Sequence, residues 1–116
     1  MNNRIVAFKA AFNGIYYALK NEWNLRFHFI VATIIIIIAF FLQFSILEFS
    51  VLFLTIGLVI SLEMINTSIE ELCNYIQPEK HELIKIIKDI SAGAVLISSI
   101  IALIIGIALF LPKLLS

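Results

Sequence analysis

The chain has 116 residues, of which 62% are hydrophobic and only 14% charged, with eight Lys and Arg balancing eight Asp and Glu. Soluble domains carry roughly 45–50% apolar and about 25% charged residues, and a chain this short buries proportionally little surface, so the excess apolar surface has to face lipid. The even charge balance offers no footprint for nucleic acid, and the single cysteine, Cys73, excludes an intrachain disulfide and a multi-cysteine metal site.

In residues 1–26, Ile5, Phe8, Phe12, Ile15, Tyr16 and Leu19 recur at helical spacing, with Arg4, Lys9, Asn13 and Lys20 between them. That pattern predicts an amphipathic helix lying in the membrane interface. A signal peptide is the competing reading, but the apolar residues are periodic and not continuous, and no small-residue cleavage pattern follows. Phe29 to Leu47 is uncharged and close to the ~20 residues a bilayer requires, which predicts a first transmembrane helix over about 29–47. The run from Phe49 meets Glu63 early, yet the helical pattern continues without Pro or Gly to about Tyr75. A second helix over about 49–75 would reach roughly 40 Å, enough to span and to project its polar end beyond the hydrocarbon. Gln77-Pro78 breaks the pattern, and the charge-free run Ile90 to Pro112 predicts a third transmembrane helix over about 84–111. The chain thus reads as one all-α integral membrane domain over 1–116.

Arg4, Lys9, Lys20 and Arg26 precede the first span, Lys80, Lys85 and Lys88 lie between the second and third, and Lys113 follows the third. The positive-inside rule therefore puts the N-terminus and the second loop in the cytoplasm and the C-terminus outside.

Charged residues in or near a span are expensive and each needs a reason. Measured from Glu63 on a helix, Asn66 lies about 60° away, Thr67 about 40°, and Glu70 and Asn74 about 20°, so the five form one polar stripe on an apolar helix. Helix-to-helix hydrogen bonding accounts for Asn66, Thr67 and Ser68. It accounts poorly for two carboxylates about 10 Å apart, which repel unless a cation or a shared task lies between them. Glu71, about 80° from Glu63, reads as a solvated or headgroup-facing charge. Asn21-Glu22-Trp23-Asn24-Leu25-Arg26-Phe27-His28 and Lys88-Asp89 fall on the same cytoplasmic side. Trp23, Arg26 and Lys88 taken singly are ordinary interfacial anchors and topology signals. With Glu63 and Glu70, these clusters bring three carboxylates, a lysine and an aspartate to one membrane face, the ingredients for a divalent cation and a polyphosphate.

No Gly-rich phosphate loop, nucleophile elbow or His-Glu-x-x-His motif is present, so any phosphate chemistry must be built from helices. His28 and His81 are far apart in sequence and read as headgroup-level polar contacts and not zinc ligands. Gly93 and Gly106 in the third span suit close helix packing.

These residues resemble the prokaryotic diacylglycerol kinase family, small three-span membrane lipid kinases that include undecaprenol kinases. Glu63-Met64-Ile65-Asn66-Thr67-Ser68-Ile69-Glu70 matches the family's Glu-x-x-Asn-[Ser/Thr]-[Ala/Ser]-Ile-Glu signature. Asn21-Glu22, then Arg26, and Lys88-Asp89-Ile90-Ser91-Ala92 match in order and spacing, and Phe8 to Gly14 resembles the family's N-terminal helix. The resemblance covers nearly the whole chain. It implies a homotrimer of the bacterial cytoplasmic (inner) membrane, with active sites at subunit boundaries. The implied reaction moves the ATP γ-phosphoryl group to a lipid alcohol, undecaprenol or diacylglycerol, in phospholipid or envelope-lipid recycling. Glu63 then resembles the base that takes the lipid hydroxyl proton, and Asn66 a residue orienting the site. Glu22 and Glu70 resemble Mg²⁺ ligands that also meet the nucleotide, while Lys88 and Asp89 with Glu79-Lys80-His81 resemble nucleotide contacts. Glu63, Asn66, Arg26 and Ser91 are implied on the lipid side.

The chain departs from the family at Asn74, where Asp is frequent. His28 resembles the undecaprenol kinase branch, since the diacylglycerol-specific branch tends to carry an acidic residue there, and this implies a polyprenol substrate. Two rival readings follow from the same residues. In a non-enzymatic three-helix subunit of a larger complex, Glu63 and Glu70 would pair with a partner's basic residues and the chain would not consume ATP. A small cation or proton transporter would use the same carboxylates, but the three spans form no inverted repeat and leave Lys88-Asp89 without a task.

Overall fold

The computed structural model describes residues 3–116. They form four helices, α1 (Asn3–Asn21), α2 (Trp23–Phe41), α3 (Ile46–Ile76) and α4 (Glu82–Leu115), with no strand among the described residues. The last three are long and apolar enough to cross a bilayer.

The chain breaks at Glu22, whose backbone is extended, so Trp23 to Arg26, expected in the surface helix, belong to α2. Arg26 explains where α1 stops. Its Nη1 donates to the carbonyls of Leu19 at 2.9 Å and Lys20 at 2.7 Å, satisfying helix-end acceptors that lack an intrahelical donor.

The expected first span overruns the real helix, which ends at Phe41. Gln43 adopts φ 59°, the left-handed conformation that ends many helices. The amides of Gln43 and Phe44 donate back to the carbonyls of Phe40 and Ala39, both at 3.1 Å, and the Phe44 ring folds onto Ala39. This is a Schellman motif with Gln in the position usually taken by Gly, which is why composition gives no warning of it. Helix α3 then starts on a capping box. Ser45 Oγ accepts from the Glu48 amide at 3.1 Å, and Glu48 Oε1 accepts from the Ser45 amide at 2.8 Å. At the far end of the chain Pro112 lies inside α4 and does not end it; the helix runs on to Leu115.

The inward faces follow a seven-residue repeat. On α2 the buried residues are Leu25, Ala32 and Ala39, on α3 Leu52, Val59, Asn66 and Cys73 lie in one row, and on α4 Ser91 and Ser98 are buried. Seven-residue spacing keeps a seam facing its partner when helices supercoil left-handedly. Alanine and serine on the seams allow the backbones to approach, the usual packing mode in lipid. Outside the seams the surface is apolar and open: Phe41 is 83% exposed and Leu54 76%. Gly93 and Gly106 do not serve close packing within this chain, since a Cβ on either would meet nothing within 4 Å.

Candidate active site

Glu63 is buried in α3 one turn from Asn66 and Thr67, both also buried. Thr67 donates its hydroxyl to the Glu63 carbonyl at 3.0 Å, so it is spent on its own helix backbone. Asn66 aims its amide nitrogen at Glu70 Oε1, 3.4 Å away, while its Oδ1 is buried without a hydrogen-bond partner. A buried acceptor left without a donor costs about 1–3 kcal/mol, and such an atom calls for a ligand. Across the α2–α3 seam, His28 Nε2 stands 3.7 Å from Glu63 Oε2. Glu22, at the α1–α2 break, and Glu70 are both near enough for their charges to act on Glu63. The fold thus gathers Glu22, His28, Glu63, Asn66 and Glu70.

A second cluster begins at Asn74, one turn beyond Glu70 and about 16 Å along α3 from Glu63. Lys88 of α4 donates to Asn74 Oδ1 at 2.5 Å, bridging the two helices. Asp89 is turned the other way, to Lys85 Nζ at 2.6 Å. The α3–α4 connection carries Glu79 and Lys80, both exposed, and His81, whose Nδ1 accepts from the Leu83 amide at 3.2 Å and caps α4. Glu79, Lys80, His81, Lys88 and Asp89 line one cleft of about 560 Å³. Arg26, one turn from Glu22, donates to the end of α1, and Ser91 is buried on the α4 seam.

An apolar groove of about 560 Å³ runs between α2, α3 and α4, walled by Ala32, Ile35, Ile56, Val59, Ala102 and Gly106. His28 lines one end of it and Leu114 the other. The groove therefore runs from the last turns of α4 to the His28 ring beside Glu63.

Residues 9–110 match the family described as prokaryotic diacylglycerol kinase. The chain belongs to that family. It is 40% identical over 114 residues to the undecaprenol kinase of Bacillus subtilis, covering 98% of this chain and 93% of the relative. It is also 40% identical over 115 residues to a diacylglycerol kinase of Synechocystis, covering 98% of this chain and 66% of that longer protein. A diacylglycerol kinase of Haemophilus influenzae is 31% identical over 98 residues, covering 84% and 83% of the two chains.

Two contacts within this family member escape a reading of sequence alone. His28 looks like a headgroup residue, but it falls about 60° from Leu25 and about 40° from Ala32 on the inward face of α2. That angular position was the available signal for its meeting with Glu63. The Asn74–Lys88 bridge joins residues from two helices, and only the placement of Asn74 on the α3 polar stripe hinted at it.

Proposed function

We propose that this protein is a homotrimeric, ATP- and Mg²⁺-dependent lipid kinase that phosphorylates a membrane lipid alcohol, with undecaprenol as the preferred substrate. The observation that carries this reading is the buried carboxylate Glu63, flanked by Asn66 and Glu70 and standing 3.7 Å from His28, which lines an apolar groove. Buried carboxylates in a membrane span are functional by default. The names of the three relatives support the same activity.

In this reading the lipid chain lies in the groove and its hydroxyl meets Glu63. Glu63 takes the hydroxyl proton as the oxygen attacks the γ-phosphorus, and ADP leaves. Phosphoryl transfer asks a protein chiefly for positioning and charge neutralisation. Lys88, held by Asn74, which carries no charge, keeps its positive charge for a phosphate oxygen. Arg26 and Ser91 frame the lipid side, and the Glu79-Lys80-His81 cleft with Asp89 takes the nucleotide.

The donor set fits Mg²⁺. Among the described residues no three His, Cys, Asp or Glu converge as a metal cage, and Mg²⁺ usually takes one or two carboxylates plus water and substrate phosphates. Glu22 and Glu70 would supply those carboxylates, and the ion would neutralise charge on the phosphates when bound. The open helix faces and the ~16 Å between Glu63 and Asn74 along α3 support a site completed by neighbouring subunits. The basic loops support an orientation with the N-terminus and the α3–α4 connection on the cytoplasmic side of the inner membrane and α1 in the interface. The product would enter phospholipid or cell-envelope lipid recycling.

The preference for undecaprenol rests on His28, because the undecaprenol kinase of Bacillus subtilis and the diacylglycerol kinase of Synechocystis are each 40% identical to this chain. Side-by-side phosphorylation of undecaprenol and diacylglycerol in mixed micelles with Mg²⁺ and ATP tests the proposal, for the wild type and Glu63→Gln. The expected result is faster turnover of undecaprenol and a dead variant. A folded wild type that phosphorylates neither lipid overturns the kinase reading; preference for diacylglycerol overturns only the branch.

A further inference from the structure

We infer that His28 is a positioning residue for Glu63, fixing one carboxylate oxygen so that the other meets the lipid hydroxyl; this rests on the lipid-kinase reading. Three titratable side chains are close enough for their charges to act on Glu63: Glu22 from the α1–α2 break, Glu70 from α3 itself, and His28 from α2. Two are carboxylates and push Glu63 away. His28 faces it across the α2–α3 seam, its Nε2 3.7 Å from Oε2, with the Glu63 side chain 9% exposed and the imidazole 29% exposed.

A general base loses rate when its acceptor oxygen wanders, and a misplacement of about 1 Å can cost on the order of 100-fold. A buried carboxylate on a flexible glutamate stem, repelled by two like charges, has no fixed heading of its own. The imidazole supplies one. It is carried by the inward face of α2 between Leu25 and Ala32, both buried, so the ring is held by seam packing and not by a loop. His28 also lines the groove, and with one carboxylate oxygen held beside the ring the other is left for the incoming hydroxyl. The pairing follows the logic of hydrolase triads, in which a histidine–carboxylate contact sets the orientation of the group that moves the proton. A carboxylate in place of His28 would instead be a third like charge beside Glu63, so this residue ties the orientation of the base to the identity of one α2 side chain.

The test uses the full-length protein in micelles with ¹⁵N-labelled histidine. The chain has only two histidines, so their ring signals are readily separated. Glu63→Gln is expected to move the ring nitrogens of His28 and to leave those of His81 in place. In the undecaprenol assay, His28→Phe is expected to lower kcat on the order of 10- to 100-fold, with KM for ATP changed by less than about twofold. His28→Gln keeps a nitrogen donor near the same position and is expected to recover much of that loss. His28 signals unmoved by Glu63→Gln, or wild-type kcat in folded His28→Phe, overturn the inference while leaving the kinase reading standing. Should His28→Phe not fold, the labelled wild type and His28→Gln decide the matter: wild-type kcat with unmoved signals overturns it. A wild type inactive on every lipid removes the kinase reading, and the role of His28 in it, even if the ring signals move.

Discussion

The two ends of the bundle are built on the same seam and differ in what fills it. At the α2–α3 turn the α3 row presents Leu52, and Phe44 packs against Ala39 with the rings of Phe49 and Phe110 at 5.7 Å and 4.8 Å. At the other end the same row presents Asn66, flanked by Glu63 and Thr67, with a buried acceptor lacking a partner. One end has its polar groups met locally, by a Schellman turn and a capping box. The other holds carboxylates together against their repulsion. Spacing alone sets where helices touch, and residue type on that spacing separates the apolar end that holds the fold from the polar end proposed to carry the chemistry.

The sharpest way to break this comparison is to alter one residue at each end. Glu63→Gln is expected to reduce lipid phosphorylation on the order of 10²- to 10⁴-fold, the range for losing a general base, without lowering thermal stability in micelles, since it removes a repelled buried charge. Phe44→Ala should do the reverse. Its loss is expected to cost about 3 kcal/mol, at the low end for a buried Phe because lipid removes part of the transfer gain, with kcat per folded protein near wild type. A stability loss from Glu63→Gln as large as that from Phe44→Ala would show that the two ends are not separable.

A smaller effect sharpens the division within the polar end. Asn74→Ala releases Lys88 from its 2.5 Å tether. Losing one hydrogen bond of about 1 kcal/mol predicts roughly a fivefold rise in KM for ATP, with KM for the lipid unchanged. Equal rises for both substrates would mean that Asn74 supports the whole site and not the lysine alone.

Much of this was legible because each element announces itself by composition or period. Apolar runs marked the three long helices, and the shared angular position of Glu63, Asn66, Glu70 and Asn74 marked the polar stripe. The helix ends were harder. Gln43 takes a conformation normally advertised by glycine, so the first span looked six residues longer at its C-terminal end than the helix that ends at Phe41. The Ser45-x-x-Glu48 capping signal does lie in the sequence, beside an apolar run that masks it. The seams were hidden for another reason. Asn66, Ser91 and Ser98 occupy seam positions as polar residues, and a search for apolar periodicity passes over them. Contacts between helices, such as His28 with Glu63 and Lys88 with Asn74, depend on the register of two elements, which no single helix encodes.

The smallest expected effects lie at the packed end and test how its stability is shared. Ser45→Ala removes the acceptor for the Glu48 amide and keeps the backbone N–H that meets the Glu48 carboxylate, for an expected loss of about 1 kcal/mol and no change in kcat. Lys113→Met should cost less. Lys113 Nζ lies 3.1 Å from Glu48 Oε1 and 5.8 Å from the centre of the Phe44 ring, so it touches both the cap and the aromatic cluster. Its side chain is 31% exposed and that of Glu48 26%, and ion pairs reached by solvent contribute about 0–1 kcal/mol. Methionine retains the apolar stem over the ring, which leaves the charge as the main loss. The expected result is a drop of about 0.5 kcal/mol in low salt that shrinks as salt is raised. A larger loss that salt does not touch would place the contribution of Lys113 in its packing against Phe44, and the aromatic cluster would then extend to the last turn of α4.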